Sequence, residues 1–112
     1  MPKKNTNARY RTEAFERQNG RCIYCDAQMW LGGALAQRAF GEAHGIRPRA
    51  ARAFKATAEH LVPRQNGGRT DRDNIAAACR LCNMRRHRRK WQLTPEQFRA
   101  HVQRRLAAGR WR

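Results

Sequence analysis

The sequence predicts one small α+β domain, and three features carry that reading. Two short apolar runs flank a glycine-rich loop between residues 54 and 78, a capped amphipathic helix follows residue 94, and four cysteines stand in two matched pairs. At 112 residues the chain is about one domain long, too short for a separate cofactor-binding fold. Eighteen residues are alanine, against six leucines and four phenylalanines. So thin a core calls for a cross-link or a metal, because apolar burial barely exceeds an ordering cost of about 1.5 kcal/mol per residue.

Residues 1–11 are polar and basic and read as a flexible arm, with residues 12–112 as the single domain, its core at 17–90 and a basic helix at 94–108. Thr12 to Gly20 reads as a short helix: Thr12 caps it, acidic side chains fill its first turn, and Gly20 is a left-handed stop. Residues 26–52 are rich in Ala, Gly and Arg. Met29, Trp30, Leu31, Leu35 and Phe40 fall partly at helical spacing, which predicts one short helix there. Phe54 to Pro63 reads as a strand, Arg64 to Arg72 as a loop carrying Gly67-Gly68, and Asp73 to Ala78 as a returning strand, although its alanines favour helix by propensity. A basic helix follows from Asn83 to Lys90. In the last helix Thr94 is the N-cap, Pro95 the first helical residue and Gln97 the third, and Phe98, Val102 and Leu106 form one apolar stripe.

The charge points to a polyanion. Twenty-five Lys and Arg stand against eight Asp and Glu, a net charge of +17, and 21 of the 25 are Arg. The planar guanidinium fork matches phosphate oxygens two at a time, so nucleic acid is the expected partner. A membrane is excluded as partner, since there is no long basic helix with a strongly apolar face and no apolar run approaches the ~18 residues of a span. The N-terminus has no apolar stretch behind its lysines, which leaves the cytoplasm as the expected compartment.

Cys22-Ile23-Tyr24-Cys25 and Cys79-Arg80-Leu81-Cys82 are C-x-x-C pairs that use every cysteine in the chain. In a reducing compartment, thiolates on a metal are favoured over disulfides or a redox dithiol. Two knuckles place four thiolates on one tetrahedral ion at about 2.3 Å, a closed and therefore structural Zn²⁺ site. Its binding free energy, of order 10–16 kcal/mol in small zinc peptides, counts as folding free energy, which answers the thin core.

Glu59-His60-Leu61-Val62-Pro63, then Gly67-Gly68, Asn74, and Cys82-Asn83 directly after the second pair, resembles the HNH endonucleases of the ββα-metal type, in the subgroup stapled by two cysteine pairs. The resemblance spans about residues 17–89 and leaves 27–53 and the last helix unmatched. It implies a treble-clef-like core of knuckle, hairpin and helix. By resemblance His60 is the general base, Glu59 and Asn83 hold a catalytic Mg²⁺ or Mn²⁺, and Asn74 fixes the loop behind His60. The family more often has Asp at position 59 and often has His at 83.

Two geometric expectations stand beside the resemblance. Neighbouring strand residues face opposite sides, so Glu59 and His60 reach one phosphate only if the strand bulges or twists out of register. Asn83 and His87 share a helix face, which makes His87 an alternative ligand that would widen metal tolerance to Ni²⁺ or Zn²⁺. Arg64, Arg69, Arg85, Arg86, Arg88, Arg89 and Lys90 are the candidate nucleic-acid contacts, expected to grip double-stranded DNA with weak sequence preference. Trp91 and Trp111 suit base stacking or packing equally, and His44 and His101 read as surface residues.

The function expected is therefore metal-dependent hydrolysis of DNA phosphodiester bonds, by nicking or double-strand cleavage, the latter needing a homodimer or a second event. The alternatives are a non-catalytic DNA-binding zinc module, and an accessory nuclease working with phage packaging or a restriction system.

Overall fold

A computed structural model describes residues 5–112. The described residues form five α-helices and one two-stranded sheet: α1 (Thr6–Arg17), α2 (Ala34–His44), α3 (Pro48–Ala51), β1 (Ala56–His60), β2 (Ile75–Cys79), α4 (Arg80–His87) and α5 (Pro95–Ala107). This is the expected α+β class. None of the helices is long and apolar enough to cross a membrane.

The first helix departs from expectation. It begins six residues earlier, capped by Asn5, whose side chain accepts from the Ala8 N–H at 3.1 Å. Thr12, expected as the cap, sits inside the helix with its hydroxyl on the Ala8 carbonyl. Residues 6–11 are thus helical and not an arm, and residues 1–4 of that expected arm lie outside the described residues. In the added turns Arg9 pairs with Glu13 at 3.5 Å, and Arg72, itself paired with Glu13 at 2.6 Å, lies over the Tyr10 ring.

β1 and β2 are antiparallel, in continuous register from Ala56 opposite Cys79 to His60 opposite Ile75. Every residue of β2, Ile-Ala-Ala-Ala-Cys, is buried. Its alanines serve close approach: the Gln18 amide accepts from the Ala77 N–H at 2.9 Å and donates to the Ala77 carbonyl at 2.8 Å. The side chain thereby stands in for the strand that β2 lacks on its outer edge.

The 27–53 segment folds into α2 and α3 and packs as a satellite cluster of Trp30, Phe40 and Ala51, closed by a Trp30 indole N–H to the Ala51 carbonyl at 2.8 Å. α5 carries the expected capping box at Thr94 and Gln97 and buries Phe98 and Val102. Phe98 meets the Tyr24 ring edge-on at 4.9 Å, and Trp111 is buried against Phe98. Packing is thus the role of Trp111, while Trp91 is 75% exposed.

Candidate active site

The four cysteines converge. Cys22 and Cys25 come from the first knuckle, Cys79 ends β2 and Cys82 lies in the first turn of α4, and all four sulfurs lie within 4.8 Å of one another. Tetrahedral zinc at about 2.3 Å per thiolate requires sulfurs roughly 3.8 Å apart, and Cys25 Sγ and Cys79 Sγ are 3.9 Å apart. Backbone N–H groups of Tyr24 and Cys79 point at Cys22 Sγ, and that of Cys82 at Cys79 Sγ, as thiolates need. Mutual hydrogen bonding spreads the proton affinities apart: the Cys22 contact drives the Cys25 thiol down, and the same neighbour drives Cys82 up. The site fits a structural zinc.

Glu59 and His60 from β1 and Asn83 and His87 from α4 line one cleft of about 280 Å³, with Pro63 and Arg64 on its rim. The expected bulge is absent, since the ladder runs unbroken through Glu59 and His60. The two side chains still share a cleft because it lies at the strand's end, where the chain turns away at Pro63 into the Arg64–Asn66 turn.

Glu59 is the buried floor of this cleft, 1% exposed. Its Oε2 accepts from the Tyr24 hydroxyl at 2.9 Å and from Arg86 at 3.2 Å, and His87 Nε2 lies 2.7 Å from Oε1. Burial and the charge of Glu59 hold the Tyr24 hydroxyl well above its ordinary pKa, so it stays a donor. Two cis donors of one octahedral cation at about 2.1 Å lie roughly 3.0 Å apart, close to the Glu59–His87 spacing. The Asn83 amide nitrogen donates to Thr57 Oγ1 and the Ala58 carbonyl, which leaves its side-chain oxygen for the cleft.

His60 is half-buried, with Nε2 3.2 Å from Thr70 Oγ1 and 3.4 Å from Arg64 Nε. Burial first, then the Arg64 charge, hold its imidazole below the usual pKa, against an opposing pull from Glu59. The balance favours the neutral imidazole. Asn74 straps the loop behind it: the side chain accepts from the Val62 N–H and donates to the carbonyls of Val62 and Arg69. Gly68 is required there, since a Cβ would stand 1.6 Å from the Val62 carbonyl oxygen.

Of the expected nucleic-acid contacts, Arg64, Arg69, Arg85, Arg88, Arg89 and Lys90 are exposed. Arg86 is a correction. It is 1% exposed and bonds Glu59 and the carbonyls of His60, Leu61 and Leu93, so it is a buried clamp and not a phosphate contact. A run of like charges hides such a residue; its position three after Asn83, on the helix side turned toward the strand, was the available signal. Sequence reasoning also passed over Tyr24, Thr57 and Thr70. Tyr24 alone carried a hint, lying between two cysteines whose convergence was expected. His44 is exposed, whereas His101 is half-buried.

Residues 51–89 match the family model of the HNH endonuclease, the span that holds β1, the loop, β2 and α4. The match covers about a third of the chain, so it shows a likeness to HNH endonucleases over that segment, beside a cluster of four cysteines that could hold a metal ion. Comparison with curated proteins and with solved structures gave no match.

Proposed function

We propose that this chain is a metal-dependent DNA endonuclease in which His60 is the general base. The observation that carries this reading is the convergence of Glu59, His60, Asn83 and His87, from two elements joined by the sulfur cluster, on one cleft. Glu59 Oε1, the Asn83 side-chain oxygen and His87 Nε2 are the donors that would hold a divalent ion. When bound, such an ion would supply positive charge to offset the negative charge that builds on the phosphate and its leaving group. The neutral His60 imidazole takes the proton of the attacking water. Arg64, on the rim, steadies the phosphate, and Asn74 keeps the loop from carrying His60 out of line. With oxygens from Glu59 and Asn83 the site favours Mg²⁺ or Mn²⁺, and participation of His87 extends it to Ni²⁺ or Zn²⁺. One cleft cuts one strand, so a double-strand break needs a second copy or a second event.

Supercoiled plasmid distinguishes this from binding alone. Wild-type protein nicks it with Mg²⁺ or Mn²⁺, and His60→Ala loses about 100-fold or more of the rate while retaining DNA in a mobility shift. Wild-type protein that never nicks, or a His60→Ala variant as fast as wild type, overturns the proposal. One observation favours a second reading, a non-catalytic DNA-binding module: both Glu59 oxygens already have protein partners, so the carboxylate has a structural role without any ion.

A further inference from the structure

We propose that the segment between the cysteine pairs builds a second phosphate site, in which Arg49, Arg52 and Arg80 grip the DNA backbone a few nucleotides from the ester in the cleft. This rests on the reading of the chain as a DNA-cleaving enzyme and gives a role to Arg49, outside the family match, and to Arg52 and Arg80, inside it but apart from the cleft.

The three arginines line a groove of about 360 Å³ with Ala50, Ala53 and Met84, and no carboxylate borders it. All three are exposed. Among the described residues none of their guanidinium groups is in an ion pair or a hydrogen bond, whereas Arg17, Arg21, Arg72, Arg86 and Arg99 are each tied to carbonyls or carboxylates. Gathering three cations without a counter-charge is unfavourable unless a polyanion resolves it. The backbone nevertheless holds them together. Pro48 starts α3, Ala51 is pinned by the Trp30 indole, and the Arg80 N–H donates to the Lys55 carbonyl at 2.9 Å. The two alanines leave the groove floor low enough for a phosphate to approach the forks.

Position separates this groove from the chain's other basic surface. At about 100° per residue, Arg80 and Met84 lie within roughly 20–100° of Asn83 and His87 around α4, so groove and cleft share one side of the helix. Arg85 points about 160–200° away from those two residues. It belongs to a different groove with Arg89, Arg105 and Arg110, where it stacks on Trp111 and bonds the Trp111 carbonyl. Along the axis, Arg80 precedes the Asn83–His87 midpoint by about 7.5 Å at 1.5 Å per residue. With 3.4 Å of rise per nucleotide on a strand, the gripped phosphate lies within about three nucleotides of the one in the cleft.

The test compares wild type, the triple variant Arg49→Gln/Arg52→Gln/Arg80→Gln, and a control of equal charge loss, Arg38→Gln/Arg104→Gln/Arg105→Gln, whose side chains do not line this groove. Binding to a duplex is measured without divalent ions across a salt series, and phosphate-ethylation interference is mapped on the bound complexes. The groove variant should lower the slope of log affinity against log salt by up to about 2.7 and weaken binding about tenfold or more near 0.1 M salt. It should also lose a cluster of interfering phosphates within about three nucleotides of the cut, which the control keeps. An unchanged interference map in the groove variant overturns the proposal. Because binding is read without cleavage, wild-type protein that binds but never nicks sinks the nuclease reading alone. Should the triple variant fail to fold, Arg80→Gln and Arg52→Gln singly must each remove part of that cluster.

Discussion

Replacing Arg86 by Met removes a buried charge while keeping the length of the side chain. The structure sets the cost. Arg86 and Glu59 form an ion pair at 3.2 Å with both side chains 1% exposed, so solvent screening does not discount it. Breaking such a pair from one side costs about 3–5 kcal/mol, most of it the penalty of a stranded charge. The carbonyls of His60, Leu61 and Leu93 lose their donor as well. At about 4 °C per kcal/mol for a domain of this size, zinc-loaded Arg86→Met should melt roughly 12–20 °C below the parent, followed by circular dichroism without other divalent ions. Glu59→Gln removes the stranded charge but keeps an acceptor for Tyr24. The double variant Glu59→Gln/Arg86→Met should therefore recover about 2 kcal/mol or more relative to Arg86→Met alone. A melting temperature within about 4 °C of the parent refutes the reasoning. An equal loss in both Glu59 backgrounds refutes it too, because the carbonyl contacts and not the ion pair would then carry the cost.

Removing the structural metal should unfold the domain: with zinc worth of order 10 kcal/mol in small zinc peptides against a total stability of about 5–15, strong chelation should abolish the cooperative transition, and zinc alone should restore it. Persistence of the native circular-dichroism spectrum in metal-free protein would contradict that. Gly68→Ala places a Cβ on the Val62 carbonyl, so the loop must move. Nicking should fall at least tenfold through kcat, with duplex binding and the zinc-dependent melt little changed, which single-turnover kinetics beside a mobility shift will check.

The parts of the fold that were legible share a local cause. The capping box of α5, its apolar stripe, the glycine-rich turn and the cysteine pairs each specify their geometry within a few residues. What stayed illegible was set across the chain. Asn5 rather than Thr12 caps α1, and within the added turns the Tyr10 ring is covered by Arg72, which also reaches Glu13, 59 residues before it. Arg86 is buried because Glu59 lies opposite it, a fact that no feature of the basic run reveals. The expected break in β1 is absent because strand alternation was weighed without the geometry of the strand end, where Pro63 turns the chain and lets both faces border one cleft.

The matched segment 51–89 cannot hold this site alone. Cys22 and Cys25 supply half of the sulfur clamp, and Tyr24, between them, donates to the carboxylate at the floor of the cleft. Tyr24 is in turn held from outside the match: Phe98 packs its ring, and Gln103 and Arg99 bond its carbonyl. One knuckle therefore does two jobs, offering two sulfurs to the cluster and orienting Glu59 through the side chain between them. A metal held by those sulfurs would fix the knuckle and, with it, the hydroxyl that partners the buried carboxylate. Folding and the placement of Glu59 should consequently fail together when the zinc is withdrawn.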